Sequence, residues 1–218
     1  DTKAIPGQHL LRANMSAIKI AKELAAEDNL SNEIKITIIE GWRLAEMAGY
    51  LEQKLGLPSA DFLAAAQTAK WREQYDFLSD VSAKTLEGFL FPDTYRVFKD
   101  AAADDIIEKM LDNFYNKLSA DWRQEIKNQN KSIFEIIILA SIVEKEAATP
   151  EDQAMVADVF WKRLSANIGL QSDATVNYIS GKSELRPSAG DLQLDSPYNT
   201  YKHRGLPPGP IANPGLSA

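Results

Sequence analysis

Ser132-Ile-Phe-Glu-Ile-Ile-Ile-Leu-Ala-Ser-Ile-Val-Glu144-Lys-Glu146 reads as a helix that is apolar on almost every side and ends in carboxylates. Ser132 and Glu135 have the spacing of a capping box and set its start. At 100° per residue, Ile133, Ile137, Ala140 and Glu144 fall in one narrow sector, whereas Glu146 falls on the opposite face with Glu135. Glu144 therefore prolongs an apolar stripe. Desolvation opposes ionisation in such a place, so its pKa is expected to rise toward the range in which a carboxyl donates a proton near neutral pH. That is the profile of a general acid. The competing reading is a glutamate that has reached the solvated end of its helix.

Outward from this segment, Pro150-Glu-Asp opens the next helix, with Met155, Val156, Val159, Phe160 and Leu164 as its expected inward face. Upstream, helical spacing covers about 102–118 and 120–128, and Glu87-Gly-Phe-Leu-Phe-Pro-Asp-Thr-Tyr95 reads as loop and short strand. The N-terminal part carries a weak repeat of strand, turn and helix. Its first copy runs from Leu10 to Ser16 and on through a helix at 17–26. In the second, a strand at 34–39 is broken by Glu40-Gly41 and followed by a helix at 42–55. Pro58-Ser59 caps a further helix at about 60–67, and 78–85 reads as the passage into a second unit. From Asn167 onward Gly, Pro, Asn and Ser dominate, and five prolines between Pro197 and Pro214 suit a stiff, ordered loop wall.

A chain of 218 residues with 44% hydrophobic content can bury a real core as one medium domain or two small ones. The balance of 24 basic against 31 acidic residues, net −7, supplies no basic stripe and argues against nucleic acid as a partner. The absence of cysteine removes disulfides, thiolate metal sites and cysteine nucleophiles, and leaves the compartment open. The longest apolar run, Ile136 to Val143 broken only by Ser141, falls far short of the roughly twenty residues that span a bilayer. With Asp1 first and no signal-like segment, the chain is expected to be part of something longer, from which a membrane anchor has been removed.

His9 and His203 lie in different units with no matching ligand spacing, so no metal and no cofactor is expected. No Gly-x-Ser-x-Gly elbow accompanies His203, and Gly205 and Gly209 flank prolines rather than opening a helix, so neither a serine triad nor a phosphate loop is read there. Gln171-Ser-Asp173-Ala-Thr175-Val-Asn177-Tyr178 groups the side chains that hydrogen-bond sugar hydroxyls. It is equally an ordinary capped turn, with Asp173 as N-cap of a short helix at 174–179. Tyr198-Asn199-Thr200-Tyr201 alternates aromatic and polar groups, as a surface turn also does.

Ile39-Glu-Gly-Trp42, Leu86-Glu-Gly-Phe-Leu-Phe-Pro-Asp-Thr-Tyr95, Ala140-Ser-Ile-Val-Glu-Lys-Glu146, Val159-Phe-Trp-Lys-Arg-Leu164, Leu170-Gln-Ser-Asp173, Ser196-Pro-Tyr-Asn-Thr-Tyr201 and Gly205-Leu-Pro-Pro-Gly-Pro-Ile211 occur in this order. Together they resemble the successive signatures of YceG-like, MltG-type endolytic murein transglycosylases, over nearly the whole chain. The resemblance implies an α+β protein. A partial LysM-like βα region (1–82, incomplete at its N-terminus) would precede a mainly helical catalytic domain with a Pro/Gly-rich loop wall (83–218, incomplete at its C-terminus). It places the family's catalytic acid on Glu144 and the glycan cleft on Gln171, Asp173, Tyr198, Asn199 and Thr200. It further implies peptidoglycan strands as substrate, a peptidoglycan synthase as a possible partner, and an anchor holding the protein on the outer face of the bacterial inner membrane. Two departures stand out, since the family usually carries Pro where this chain has Ile39 and Ala174.

The implied chemistry cleaves the β-1,4 bond between N-acetylmuramic acid and N-acetylglucosamine without water. A hydrolase pairs its acid with a second carboxylate, for which Asp173 is the candidate, whereas a transglycosylase needs one acid because the sugar's own C6 hydroxyl attacks. A single dominant buried acid suits the latter and its 1,6-anhydro product. The alternative from another class is a non-catalytic peptidoglycan-binding or scaffold module.

Overall fold

The structure, a computed structural model, describes residues 15–25, 33–182 and 186–218. His9 and most of the first expected extended stretch lie outside them. Helix α1 (Ala17–Ala25) is followed by strand β1 (Glu33–Thr37), which pairs antiparallel with β2 (Thr94–Phe98), Ile36 facing Tyr95 and Glu33 facing Phe98. Ile36, Tyr95 and Val97 are buried while Lys35 and Arg96 are exposed, so one face of this ribbon is covered.

Helices α2 (Leu44–Leu55), α3 (Ser59–Ala65) and α4 (Thr68–Trp71) fill the interval between the strands. Leu44, Met47, Ala48 and Leu51 are the buried positions of α2, one face at helical spacing. This helix starts two residues later than the sequence pattern suggests. Ile39 to Trp42 instead form a turn, closed by the Trp42 amide donating to the Ile39 carbonyl at 3.2 Å, with Gly41 at φ +76° in its third position.

The remaining helices are α5 (Ala103–Lys117), α6 (Ala120–Asn128), α7 (Ile133–Glu146), α8 (Pro150–Ser165) and α9 (Asp173–Ser180). The capping box of α7 is formed: the Ser132 hydroxyl accepts from the Glu135 amide at 3.0 Å and Glu135 accepts from the Ser132 amide at 2.8 Å. The molecule is thus a small two-stranded sheet joined to a largely helical body.

Two apolar clusters make the core, and α7 lies between them. One runs from Ile36 to Leu118, with Ile133, Phe134 and Ile137 packed against it; the other contains Ile138, Leu139, Ile142, Val143, Phe160, Leu170 and Ile211. Phe134 touches both. A helix apolar all round is one that must be covered all round, which is why this sequence has no polar face until its last turn. The seam expected between residues 82 and 83 falls within the first cluster, and the β1–β2 ladder spans it.

Two expectations are corrected here. In α8, Met155 and Val159 are 61% and 48% exposed, whereas Gln153 and Phe160 are buried and Val156, Ala157, Trp161 and Leu164 pack on the second cluster. The covered stripe is rotated from the one read in the sequence because α7 and the C-terminal loops, not hydrophobicity alone, choose the buried side. Helix α9 begins at Asp173 itself, with Ser172 in the N-cap position, so Asp173 is not its cap.

The C-terminal residues have few regular elements, as read, and are pinned by long-range contacts. Gly88 (φ +90°) allows the Pro210 ring to come close: a Cβ there would sit 2.5 Å from Pro210 Cγ and 2.8 Å from Ile137 Cγ2. Gly88→Ala must strain the backbone and push the proline wall off α7 together. The expected loss is about 3 kcal/mol, read as a lower urea midpoint with the m-value unchanged.

Candidate active site

Glu144 occupies the last turn of α7, continuing the stripe of Ile133, Ile137 and Ala140, and is partly buried. Its Oε2 accepts a hydrogen bond from the Gly215 amide at 3.0 Å. Gly41 packs on its stem, a Cβ at that glycine lying 3.4 Å from Glu144 Cγ. Burial raises the carboxyl's pKa and the nearby Glu40 carboxylate raises it further, against the opposing Gly215 amide and Lys145 ammonium. An apolar cleft of about 90 Å³ opens one turn away, lined by Ile137, Ala140, Phe91, Trp122, Pro214 and Leu216. The Lys117 ammonium stands 5.4 Å over the Phe91 ring in the same wall. The Glu144 carboxyl is therefore half-buried; its neighbours Ala140 and Gly215 line that cleft, while Glu144 itself does not.

The segment carrying Gly215 is held by Asn213, which is fully buried. Asn213 Oδ1 accepts from the Gly88 amide at 2.9 Å and the Leu90 amide at 3.0 Å, while Nδ2 donates to the Trp42 carbonyl at 2.9 Å and to Glu87 Oε1 at 2.7 Å. Its backbone completes the tie: the amide donates to the Trp42 carbonyl and the carbonyl accepts from the Gly41 amide at 2.8 Å. Upstream on the same wall, the Ile211 amide donates to Ser141 Oγ of α7 at 3.0 Å. One asparagine thus ties the Ile39–Trp42 turn, the Glu87–Leu90 loop and the C-terminal wall, and thereby sets Gly215 beside Glu144.

Glu87, 6% exposed, also accepts from the Leu44 amide at 3.0 Å and so stands in for a cap at the start of α2. Burial pushes its carboxyl up to about 8, outweighing the Leu44 amide, the Arg43 guanidinium and the Asn213 amide, which favour the ion. The folded chain therefore holds this proton more tightly than the unfolded chain, whose value is 4.5. The associated stability is fully present below that value and is lost as pH rises through about 8. Glu87→Gln is expected to flatten this dependence, whereas the wild type loses roughly 1.4 kcal/mol per pH unit within the window. Denaturant midpoints measured across it decide.

The other residues singled out in the sequence lie in three settings. Gln171, exposed and at φ +53°, borders a depression with Glu146, Met155, Val159, Arg163 and Ser172. The Ser172 hydroxyl donates to Glu146 Oε1 in a very short bond, and the Tyr201 hydroxyl donates to Asp173 Oδ1 at 2.5 Å. Glu146 lies roughly 200° around α7 from Glu144. These contacts tie Asp173 and Gln171 to the Glu146 side of the helix. Tyr198 pairs with Tyr178, ring centroids 4.9 Å apart, beside Arg43, whose guanidinium lies 5.0 Å over the Tyr178 ring.

Asn199 and Thr200 are buried, with their side chains engaged internally. Asn199 Nδ2 donates to the Leu192 and Leu194 carbonyls, and Thr200 Oγ1 accepts from the Ser172 amide and lies 2.9 Å from Thr175 Oγ1. They shape the wall from behind rather than facing a groove. Glu40, Gly41, Glu87, Asn213 and Gly215 are the neighbours that the sequence reading passed over; only the Glu-Gly turns at 40–41 and 87–88 signalled them. No group of three or more potential metal ligands occurs among the described residues.

The model of the YceG-like family matches residues 1–218, and the chain belongs to that family. It is 35% identical over 84% of its length to the endolytic murein transglycosylase of Bacillus subtilis, and 34% identical over its whole length to that of Streptococcus pneumoniae. Those alignments cover 54% and 44% of the relatives, so the chain spans about half their length. The crystal structure of a YceG-like protein from Listeria monocytogenes superposes with a TM-score of 0.77 at 34% identity, covering 94% of this chain and 70% of that one.

Proposed function

We propose that the protein is an endolytic peptidoglycan lytic transglycosylase with Glu144 as its acid, cleaving the bond between N-acetylmuramic acid and N-acetylglucosamine to leave 1,6-anhydro ends. The observation that carries this reading is a half-buried carboxyl on an apolar stripe, its pKa raised by burial and one oxygen fixed by the Gly215 amide. The names of the relatives support the same activity. Glu144 first protonates the bridging oxygen, so the leaving sugar departs as an alcohol; as carboxylate it then takes the proton from the C6 hydroxyl as that oxygen closes on the anomeric carbon. Proximity of the C6 hydroxyl replaces a base-activated water. Asp173, the candidate second carboxylate of a hydrolase, is engaged by Tyr201 on the other side of α7, which favours the intramolecular route.

Within this reading Gln171 and Asp173, on the Glu146 side of α7, bind the strand away from the cleaved bond, Tyr198 contacts it as well, and Asn199 and Thr200 hold the loops that present them. The N-terminal sheet and helices form a LysM-like region that docks the strand, with the catalytic part beginning near residue 83 and borrowing β2 from the same sheet. No helix among the described residues is long and apolar enough to cross a membrane. The proposed site of action is the outer face of the bacterial inner membrane, through an anchor in the full-length protein and near a peptidoglycan synthase. Digestion of purified sacculi tests the activity: anhydro-muropeptides lost on Glu144→Gln, with binding retained, support it. Products heavier by one water indicate a hydrolase, and binding without release by either protein indicates a scaffold module.

A further inference from the structure

Two large apolar side chains of α8 lie open beside a guanidinium. Met155 and Val159, 61% and 48% exposed and one turn apart, line the depression of about 270 Å³ that Gln171, Glu146 and Arg163 border. A lone apolar side chain on a surface needs no explanation, but two together in a concavity shared with polar groups make a lining for a ligand. Arg163 Nη1 donates to the Leu170 carbonyl at 2.6 Å, and the guanidinium is in no ion pair among the described residues. Gln171 is held by its backbone, its amide donating to the Thr200 carbonyl at 3.2 Å at φ +53°, a conformation that costs energy outside glycine. Its side-chain amide has no partner among the described residues. The two carboxyls nearby are engaged, Glu146 by the Ser172 hydroxyl and Asp173 by the Tyr201 hydroxyl. The loop that receives the Gln171 amide goes on to Lys202-His203-Arg204, all exposed, a basic run in a protein of net charge −7.

We propose that this depression is the subsite for the acidic stem peptide of the peptidoglycan strand, with Arg163 taking a stem carboxylate and Met155 and Val159 covering its methyl groups. The glycan itself does not ask for such a lining. Once the lactyl carboxyl of N-acetylmuramic acid is joined to the peptide as an amide, the sugars carry hydroxyls and acetamides but no charge; the carboxylates all belong to the stem. A guanidinium, always charged, fits a carboxylate with paired hydrogen bonds. Gln171 sits where sugar and stem meet, and Arg204 extends the positive rim toward carboxylates further along the peptide. The rotation of α8 that leaves Met155 and Val159 uncovered thereby gains a role, as the wall that separates a strand with stems from a bare one.

This inference deepens the peptidoglycan reading and rests on it, without depending on which carboxyl of α7 is the acid. Uncrosslinked glycan strands, with their stems or stripped of them by an amidase, are the two substrates for the active full-length protein. Wild type is expected to favour the stem-bearing strands by about tenfold or more in kcat/KM, a preference that added salt reduces. Val159→Glu, which sets a carboxylate against Arg163 at an exposed helix position, should bring that ratio close to one, and Val159→Lys should keep most of it. Arg163→Gln should lower it as well. A wild-type ratio of one overturns the proposal. So does a fall of equal size on both substrates in Val159→Glu and Val159→Lys alike, which would mark a structural or purely glycan-binding wall. If no anhydro ends are released from either strand, the activity reading fails, and the Kd values of the same two strands, measured by titration calorimetry, still decide the stem preference.

Discussion

Glu144→Gln is expected to lower release of anhydro-ended fragments by about a thousandfold, the span of a lost general acid, while the protein stays folded. The substitution is nearly isosteric, and the amide oxygen can still accept from Gly215, so the loss reports the missing proton rather than a displaced loop. In the wild type, a raised carboxyl pKa places full activity below that pKa and the decline above it, where Glu144 ionises before the substrate binds. Glu146→Gln, on the side of α7 that carries Gln171 and Asp173, is the matched comparison: a loss as large as that of Glu144→Gln would move the acid from Glu144 to Glu146. Product mass and rate, followed on the same sacculi across pH, check each of these.

Asn213→Ala is expected to have the largest effect on stability, about 4 kcal/mol. It leaves the buried Gly88 and Leu90 amides without their acceptor and removes a donor from the buried Glu87 carboxyl. In a chain of this size that corresponds to a fall in Tm of about 10 °C, measurable by calorimetry. Because Gly215 follows two residues later, activity should decline even at temperatures where the variant is folded. Asn213→Asp would keep the acceptor yet set a second acid against Glu87, and is expected to be destabilising in a pH-dependent way.

Elements governed by local periodicity were legible in the sequence. The α7 capping box, the Glu144 stripe, α5, α6 and the start of α8 at Pro150 follow from spacing and caps alone. The rotation of α8 was not, because which side of a moderately apolar helix is covered depends on what packs there; Met155 and Val159 look inward until the α7 surface is known. The Asn213 knot was illegible for a stronger reason. Its partners, Trp42, Glu87, Gly88 and Leu90, are more than a hundred residues away in sequence, and one polar residue in a proline-rich stretch has no period. Of the glycan-cleft residues read from the family resemblance, Gln171 reaches the surface, whereas Asn199 and Thr200 are turned into the wall.

The order in which this chain leaves the ribosome matters for the same knot. β1 cannot pair until β2, some sixty residues later, has been made, and the Gly41 and Glu87 loops wait for Asn213, another hundred residues on. A nascent chain cut short before residue 213 would carry Glu144 on a finished helix but lack the Gly215 amide that binds it. The tie between the Ile39–Trp42 turn, the Glu87–Leu90 loop and the C-terminal wall would then close only once residue 213 has been made.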